Sequence, residues 1–142
     1  MNKRIIAAAL ALVTVLAGCG NGTASAYKDG TYTGNSSIIE NEDGSGDGNG
    51  YGSVELTIED GKITGCTFVI REENGTIKDE NYCKDESSDR YNKAQKAVSA
   101  AQKYASQLVQ NGQLEGIDAM SGATINYNIF VAAVNDALKQ AK

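Results

Sequence analysis

The feature that most constrains how this chain folds is the turn at residues 118–124 (DAMSGAT), together with the apolar pattern that follows it. Apolar residues then recur every three or four positions, which is typical of one face of a helix that begins near Asn126. They are Tyr127, Phe130, Val131, Val134 and Leu138. Free N–H groups and the positive end of the helix dipole would converge on Thr124. Such a position suits a phosphate group.

Residues 54–70 predict two antiparallel strands joined by a tight turn. Apolar and polar residues alternate up to Glu59, as in a half-buried strand, and Asp60-Gly61 is typical of a two-residue hairpin turn. In the return strand the apolar residues change parity after Ile63. One inserted residue at Thr64-Gly65, a β-bulge, would bring both sets to the same face.

The remaining pattern predicts one more strand and one more helix. Residues 28–34 predict a short strand with Tyr32 buried. Residues 89–110 predict a helix that is capped by Ser87 or Ser88 and ended by Asn111-Gly112. Its apolar stripe, spaced for packing on a sheet, is Tyr91, Ala94, Val98, Ala101, Tyr104 or Ala105, and Leu108. We therefore expect an α+β fold, an antiparallel β-sheet packed against two main α-helices, in one domain over residues 27–142.

Residues 1–18 predict a secretion signal, because Lys3 and Arg4 precede an apolar run too short to span a bilayer. The run ends in LAGC at residues 16–19, which matches the lipobox of bacterial lipoproteins. Cleavage before Cys19 and acylation of its thiol would supply a membrane anchor, with residues 19–26 as a flexible tether. The alternative is an ordinary signal peptide with an incidental cysteine.

Composition excludes several classes of function. A formal net charge of -5 argues against nucleic-acid binding, since no basic patch is available to displace counterions. The chain contains no His, so Ser-His-Asp and Cys-His catalysis and the usual zinc sites are unavailable. Redox work by such a chain would require a bound cofactor to carry the electrons.

Two local features leave alternatives open. The Gly- and Asp-rich residues 43–50 have spacings similar to a calcium loop, but Val54 stands at the twelfth position, so a surface hairpin loop is the other interpretation. If Asn74-Gly75 is a turn followed by a short polar edge strand, Cys66 lies opposite Cys83 at a separation that permits a disulfide. Two separate thiols are the alternative.

The DxxSGAT pattern of residues 118–124 resembles the FMN-binding domain family, which includes flavoprotein subunits of sodium-pumping NADH:quinone oxidoreductase and small lipoproteins. Residues 50–63 (GYGSVELTIEDGKI) resemble a second block of that family. The resemblance implies that Thr124 carries FMN through a phosphoester bond. It also implies that a magnesium-dependent flavin transferase takes the FMN from FAD and reads the residues Asp118, Ser121, Gly122 and Ala123.

Each of these residues has a physical counterpart. Gly122 would allow the backbone to approach the phosphate, Ala123 would leave Thr124 unobstructed, and Ser121 can donate a hydrogen bond to a phosphate oxygen. Asp118 serves either the transferase complex or a helix cap.

The isoalloxazine ring needs an apolar or aromatic surface. Tyr127, one helical turn after Thr124, and Tyr51 are candidates for it, with ordinary packing as the alternative. Asn126 stands where family members often have Ser or Thr.

The resemblance and the lipobox together predict a lipid-anchored electron carrier on the extracytoplasmic face of the cell membrane, with a membrane oxidoreductase as its electron donor. Covalent attachment would keep the cofactor from diffusing away, and the anchor would raise the carrier's local concentration near its donor. The alternatives are a flavin-free surface-binding lipoprotein and an independent enzyme. The chain supplies no obvious substrate-activating group for the latter.

Overall fold

The structure is a computed structural model that describes residues 27–142. The predicted signal segment at residues 1–18, the acylated Cys19 and the tether at residues 19–26 lie outside the described residues. No helix of the described part is long and apolar enough to cross a membrane.

Three antiparallel strands form one sheet in the order β1-β2-β3. They are β1 at Gly30–Asn35, β2 at Tyr51–Glu59 and β3 at Lys62–Arg71. Alternate residues of β2 are buried, as the sequence pattern predicts, because one face of the sheet packs on the core while the other remains accessible.

The β2–β3 hairpin has the predicted turn and bulge. Asp60 and Gly61 both have positive φ, 52° and 72°, as a tight hairpin turn of the primed type requires. Ile58 pairs with Ile63, whereas Thr57 pairs with Gly65, so Thr64 is the inserted residue. The bulge returns the later residues of β3 to the core face, where Phe68 and Ile70 are buried.

Two helices follow, α1 at Ser88–Asn111 and α2 at Thr124–Gln140. The Oγ of Ser87 accepts a hydrogen bond from the N–H of Arg90, and Gly112 ends α1 in the left-handed conformation with its N–H donated to the carbonyl of Leu108. Both predicted caps are confirmed. The predicted stripe is buried only in the second half of α1, at Ala101, Tyr104, Ala105 and Leu108, and Ala100 is buried beside it. Its earlier members, Tyr91, Ala94 and Val98, are half-buried.

Both helices pack on the same face of the sheet, α2 over β1 and β2 and α1 over β3. Phe130 joins the layers, because its ring centroid lies 5.0 Å from that of Phe68 and 5.8 Å from that of Tyr104. Sheet and helices therefore share one hydrophobic core. This confirms the α+β fold class.

The predicted edge strand after Asn74-Gly75 does not form. The N–H of Lys78 still donates to the carbonyl of Ile70 at 2.9 Å, but the chain then turns away. A carboxylate oxygen of Asp79 accepts the N–H of Asn81 at 2.8 Å, which closes a turn where a longer strand would have laid polar side chains against the apolar β3. Cys66 and Cys83 are consequently both free thiols, so the disulfide alternative is wrong in this structure.

Candidate functional site

The turn before α2 is held in a conformation that exposes the start of the helix. Gly122 has φ +77°, which favours glycine, and no atom lies within 4 Å of a Cβ built on it. Its role is therefore to permit the turn rather than to admit a close backbone neighbour. Ala123, at the N-cap position, is buried and supplies no side-chain hydrogen bond to the helix.

The helix begins at Thr124, two residues earlier than the sequence pattern predicts. The first intrahelical contact across the turn is the hydrogen bond from the N–H of Tyr127 to the carbonyl of Ala123, at 3.0 Å. Within residues 27–142 the N–H groups of Thr124, Ile125 and Asn126 have no acceptor. Three unpaired donors and the positive end of the α2 dipole thus meet beside the exposed Thr124 side chain.

Two tyrosines fix this turn from the core side. The Tyr104 hydroxyl accepts the N–H of Met120 at 2.7 Å and donates to the carbonyl of Ala123 at 3.3 Å. The Tyr127 hydroxyl donates to the carbonyl of Ile117 at 2.9 Å. Burial raises the pKa of Tyr104, so its hydroxyl keeps the proton that it donates.

A cavity of about 440 Å³ opens between the start of α2 and the N-terminal half of α1; we call it the α1–α2 cavity. The helices and the turn before α2 contribute Arg90, Lys93, Ala94, Ala97, Val98 and residues 122–126 to its lining. Loops contribute Asn41, Asp47, Gly48, Lys78, Tyr82 and Cys83. The small side chains Ala94 and Ala97 explain why the first half of α1 stays half-buried, because they leave a gap instead of filling it.

Asn126 ties the two helices together at the floor of this cavity. It is buried, and its Nδ2 donates to the carbonyl of Ala97 in α1 at 3.0 Å. Asn126, which stands where family members often carry Ser or Thr, therefore has a defined hydrogen-bond partner in this chain.

Among the described residues, three of the four charged side chains that line the cavity are positive. Lys78 is buried, and its Nζ donates to the carbonyls of Gly48 and Asn49 at 2.7 and 2.8 Å. Arg90 and Lys93 are exposed and lie 3.5 and 4.0 Å from the carboxylate of Asp47. These exposed pairs stabilise little in water, but they bring the 41–49 loop against α1 at the cavity mouth.

Tyr82 forms another part of the lining. Its hydroxyl donates to Oε1 of Glu72 at 2.6 Å. Burial and this hydrogen bond to a carboxylate raise the pKa of Tyr82, so the phenol remains neutral.

The structure brings three of the predicted site residues to the cavity, namely Gly122, Ala123 and Thr124. Asp118 and Ser121 are exposed in the preceding turn and do not line it. Tyr127 and Tyr51 do not line it either. The ring of Tyr127 packs edge-on against Tyr104 at 5.5 Å, so the ordinary packing alternative describes it better than flavin contact does.

Sequence reasoning did not identify Lys78, Tyr82, Ala94 or Ala97 as lining a cavity, although Ala94 belongs to the predicted apolar stripe. The i, i+3 spacing of Ala94 and Ala97 is the one signal that pointed to a recess, whereas Lys78 lies in a segment predicted as an exposed edge strand.

The Gly- and Asp-rich segment is a surface hairpin loop. Ile39 and Gly50 pair across its base. A carboxylate oxygen of Asp43 accepts the N–H of Ser45 at 2.8 Å. Hydrogen bonds from the side chain and the backbone of Ser45 lower the pKa of Asp43. Among residues 27–142 there is no cluster of three or more His, Cys, Asp or Glu that could hold a metal ion.

Comparison with known proteins places these features in a family. The model of the FMN-binding domain family matches residues 49–139. No curated protein matches the chain. Among solved structures, the CPE2226 protein from Clostridium perfringens is similar, at a TM-score of 0.51 and 19% identity, covering 81% of this chain and 88% of that one. That likeness supports the fold alone, whereas the family match spans both the hairpin and the turn before α2. The chain belongs to the FMN-binding domain family, and FMN is its cofactor.

Proposed function

We propose that this protein is an electron carrier whose FMN is joined to the Thr124 hydroxyl through a phosphoester bond. The observation that carries the proposal is the position of Thr124. Its exposed hydroxyl stands at the mouth of the α1–α2 cavity, beside the three unpaired N–H groups at the start of α2.

The residues present fit FMN. A cavity of about 440 Å³ is within the usual size range of small-molecule sites. Ala94, Ala97, Val98 and Ile125 give it an apolar surface on which a flat ring can pack. The unpaired N–H groups of α2 are suitable donors to a phosphate on Thr124.

A separate enzyme is required to form the ester. A threonine hydroxyl is a weak nucleophile, and among the described residues no side chain hydrogen-bonds the Thr124 hydroxyl to activate it. We infer a magnesium-dependent flavin transferase that uses FAD. The Thr124 oxygen loses its proton and bonds to the FMN phosphorus, while the bond between the two phosphates of FAD breaks and AMP leaves. Asp118 and Ser121 are exposed in the turn and accessible to such an enzyme.

When bound, FMN supplies the transfer of one or two electrons. The chain's own contribution is structural: Tyr104 and Tyr127 hold the turn, Asn126 fixes the spacing of the helices, and the alanines of α1 exclude water from the ring's surface. The described residues offer no Ser-His-Asp or Cys-His arrangement, because the chain contains no His. The site is therefore better suited to exchanging electrons with partner proteins than to activating a substrate.

We further propose that acylated Cys19 anchors the protein on the extracytoplasmic face of the cell membrane, where a membrane oxidoreductase reduces it. The support is the lipobox at residues 16–19 and the short apolar run before it. A lipid anchor keeps the carrier close to a membrane donor and so raises the effective concentration of each for the other.

The direct test is a denaturing gel of protein produced with and without a flavin transferase, viewed under ultraviolet light. Fluorescence that survives denaturation, and that requires the transferase, is the expected result. Absence of fluorescence in the presence of an active transferase would contradict covalent attachment and favour a flavin-free surface-binding lipoprotein. If the native protein still binds FMN noncovalently, only the ester proposal fails. If it binds no FMN, the flavin-free interpretation is favoured.

A further inference from the structure

We propose that Lys78 contacts the electron-accepting pyrimidine edge of the isoalloxazine and raises the reduction potential of the bound flavin. This inference rests on the proposed function, since it requires FMN to extend from Thr124 into the α1–α2 cavity. It assigns a role to a residue outside the turn before α2.

Lys78 is a buried cation without a carboxylate partner. The residue is 8% exposed, and among residues 27–142 no carboxylate oxygen lies within 4.0 Å of its Nζ. Its environment disfavours the charged form, because burial lowers the pKa of Lys78 while the more distant Glu72 opposes the shift. A buried charge normally has a partner, so the cavity is where the missing negative partner belongs.

The hydrogen bonds of Lys78 leave one donor available. An ammonium group has three N–H donors, and the described residues satisfy two of them, through the carbonyls of Gly48 and Asn49. These two carbonyls also fix the position of Nζ at the cavity wall, since Gly48 and Lys78 both line the cavity. A fixed, desolvated cation with a free donor is suited to an oxygen or nitrogen acceptor of the ligand.

The positions of Thr124 and Lys78 in the lining indicate which part of FMN meets Lys78. Thr124 is exposed, and a phosphate on it would have the unpaired N–H groups of α2 as donors. Lys78 is buried and lines the same cavity beside the 41–49 loop. Because FMN extends from the phosphate through the ribityl chain to the ring, the ring would lie within the cavity, and its pyrimidine edge carries the carbonyl acceptors that suit the free N–H of Lys78.

The charge of Lys78 would act on reduction. When FMN is bound, its reduction by an external donor would add two electrons to the ring and one proton from solvent to N5. The remaining negative charge would lie over N1 and the C2 carbonyl. A nearby cation stabilises this charge in a poorly hydrated site, so it favours the reduced form and makes a second proton at N1 unnecessary.

Among the described residues, the titratable and charged groups that face Lys78 do not neutralise it by direct contact. Tyr82 has its ring centroid 5.7 Å from Nζ and stays neutral, since burial raises the pKa of its phenol. Glu72 accepts the Tyr82 hydroxyl, and its charge favours the charged form of Lys78, but neither of its carboxylate oxygens lies within 4.0 Å of Nζ. Cys83 is a free thiol in the lining. The remaining charges of the lining, Asp47, Arg90 and Lys93, are paired and exposed at the mouth.

The test compares reduction potentials of flavin-loaded variants, measured against a reference dye during dithionite titration. Lys78→Gln removes the charge but keeps an N–H donor for the loop carbonyls, and Lys78→Arg keeps the charge. Lys96→Gln is the matched control, because it removes the same charge from an exposed position on α1 outside the cavity. We expect a more negative potential for Lys78→Gln only. At mildly acidic pH, wild type should take up one proton per two electrons and Lys78→Gln two.

Several outcomes would overturn the inference. One is that folded Lys78→Gln has the same reduction potential and the same proton uptake as wild type. Another is that wild type itself takes up two protons per two electrons, a result that can be measured without any variant. If folded Lys78→Gln is no longer flavinylated while Lys78→Arg is, the cation serves the phosphate. If wild type itself carries no covalent flavin, the ester proposal fails. The reduction potentials of the same variants with noncovalently bound FMN would then still test the role of Lys78.

Discussion

The thiol of Cys66 is expected to make the stability of this domain depend on pH. The thiol is half-buried beneath the helices on the core face of β3, paired across from Leu56, and burial raises its pKa to about 12. In the unfolded chain the thiol ionises near pH 9, whereas in the folded protein it remains protonated. Between these two values the unfolded state binds fewer protons, so the free energy of unfolding falls as pH rises.

We therefore predict that the urea midpoint of the domain decreases above pH 9 and that Cys66→Ala weakens this decrease. The alanine variant is less stable at every pH because it loses a core contact, so the informative quantity is the change with pH in each protein. Reducing agent is kept present throughout. Tyr82 and Tyr104 have raised pKa values as well and add a further loss at higher pH in both proteins. Equal pH dependence in the two proteins would contradict the assigned shift.

At the scale of elements, the contact between β1 and α2 depends on the absence of a side chain at Gly34. A Cβ built on Gly34 collides with the backbone carbonyl of Ala133 and the backbone N–H of Ala137. Both obstacles are backbone atoms, which cannot move aside as a flexible side chain can. The end of α2 is also tied to β1 by the carboxylate of Asp136, which accepts the N–H of Asn35 at 2.9 Å.

We predict that Gly34→Ala destabilises the domain by about 1–3 kcal/mol, the usual cost of overpacking a core. Thr31→Ala is the matched control, since it changes an exposed residue of the same strand. Urea unfolding followed by circular dichroism measures both. Should Gly34→Ala unfold at the same urea concentration as the control, the close packing of α2 on β1 is not as described.

The sequence pattern predicted the elements whose signals are local. The hairpin turn, the bulge at Thr64 and both caps of α1 follow from side chains within a few residues of each feature. The edge strand predicted after Asn74-Gly75 does not form, because a turn signal alone does not determine whether the residues after it continue as a strand. The polar side chains of residues 79–81 form a turn instead of lying along β3.

Contacts between segments that are distant in the sequence determine the features that the sequence pattern could not predict. The α1–α2 cavity joins residues from the 41–49 loop, the turn region near Lys78 and the starts of α1 and α2, and no spacing rule relates such distant segments. The motif at residues 118–124 therefore indicated Thr124 but not the other groups that line the cavity. Helical spacing also placed Tyr127 beside Thr124 but could not give its packing partner, which is Tyr104.

The proposed anchor also belongs to the scale of the whole molecule. We predict that replacing Cys19 by Ala moves the protein from the membrane fraction to the soluble extracytoplasmic fraction, because the acylated thiol is the proposed attachment to lipid. Cell fractionation and immunoblotting measure the distribution, with the unaltered chain as reference. Cys83→Ala, which leaves the lipobox intact, controls for general effects of removing a cysteine. A Cys19→Ala protein that stays in the membrane fraction would show that the lipoprotein interpretation is wrong.

The measurement that tests the central claim most directly is the mass of the Thr124 peptide. Wild type co-produced with an active transferase should carry FMN less one water on the peptide that contains residues 118–126. Thr124→Ala should carry none yet remain folded, because the exposed side chain has no hydrogen bond in the described structure and its loss costs less than about 1 kcal/mol. Thr124→Ser, which keeps the hydroxyl without the methyl that restricts its rotamer, should be modified to a reduced but detectable extent. An unmodified wild-type peptide, or a flavin adduct that persists in Thr124→Ala, would contradict the account.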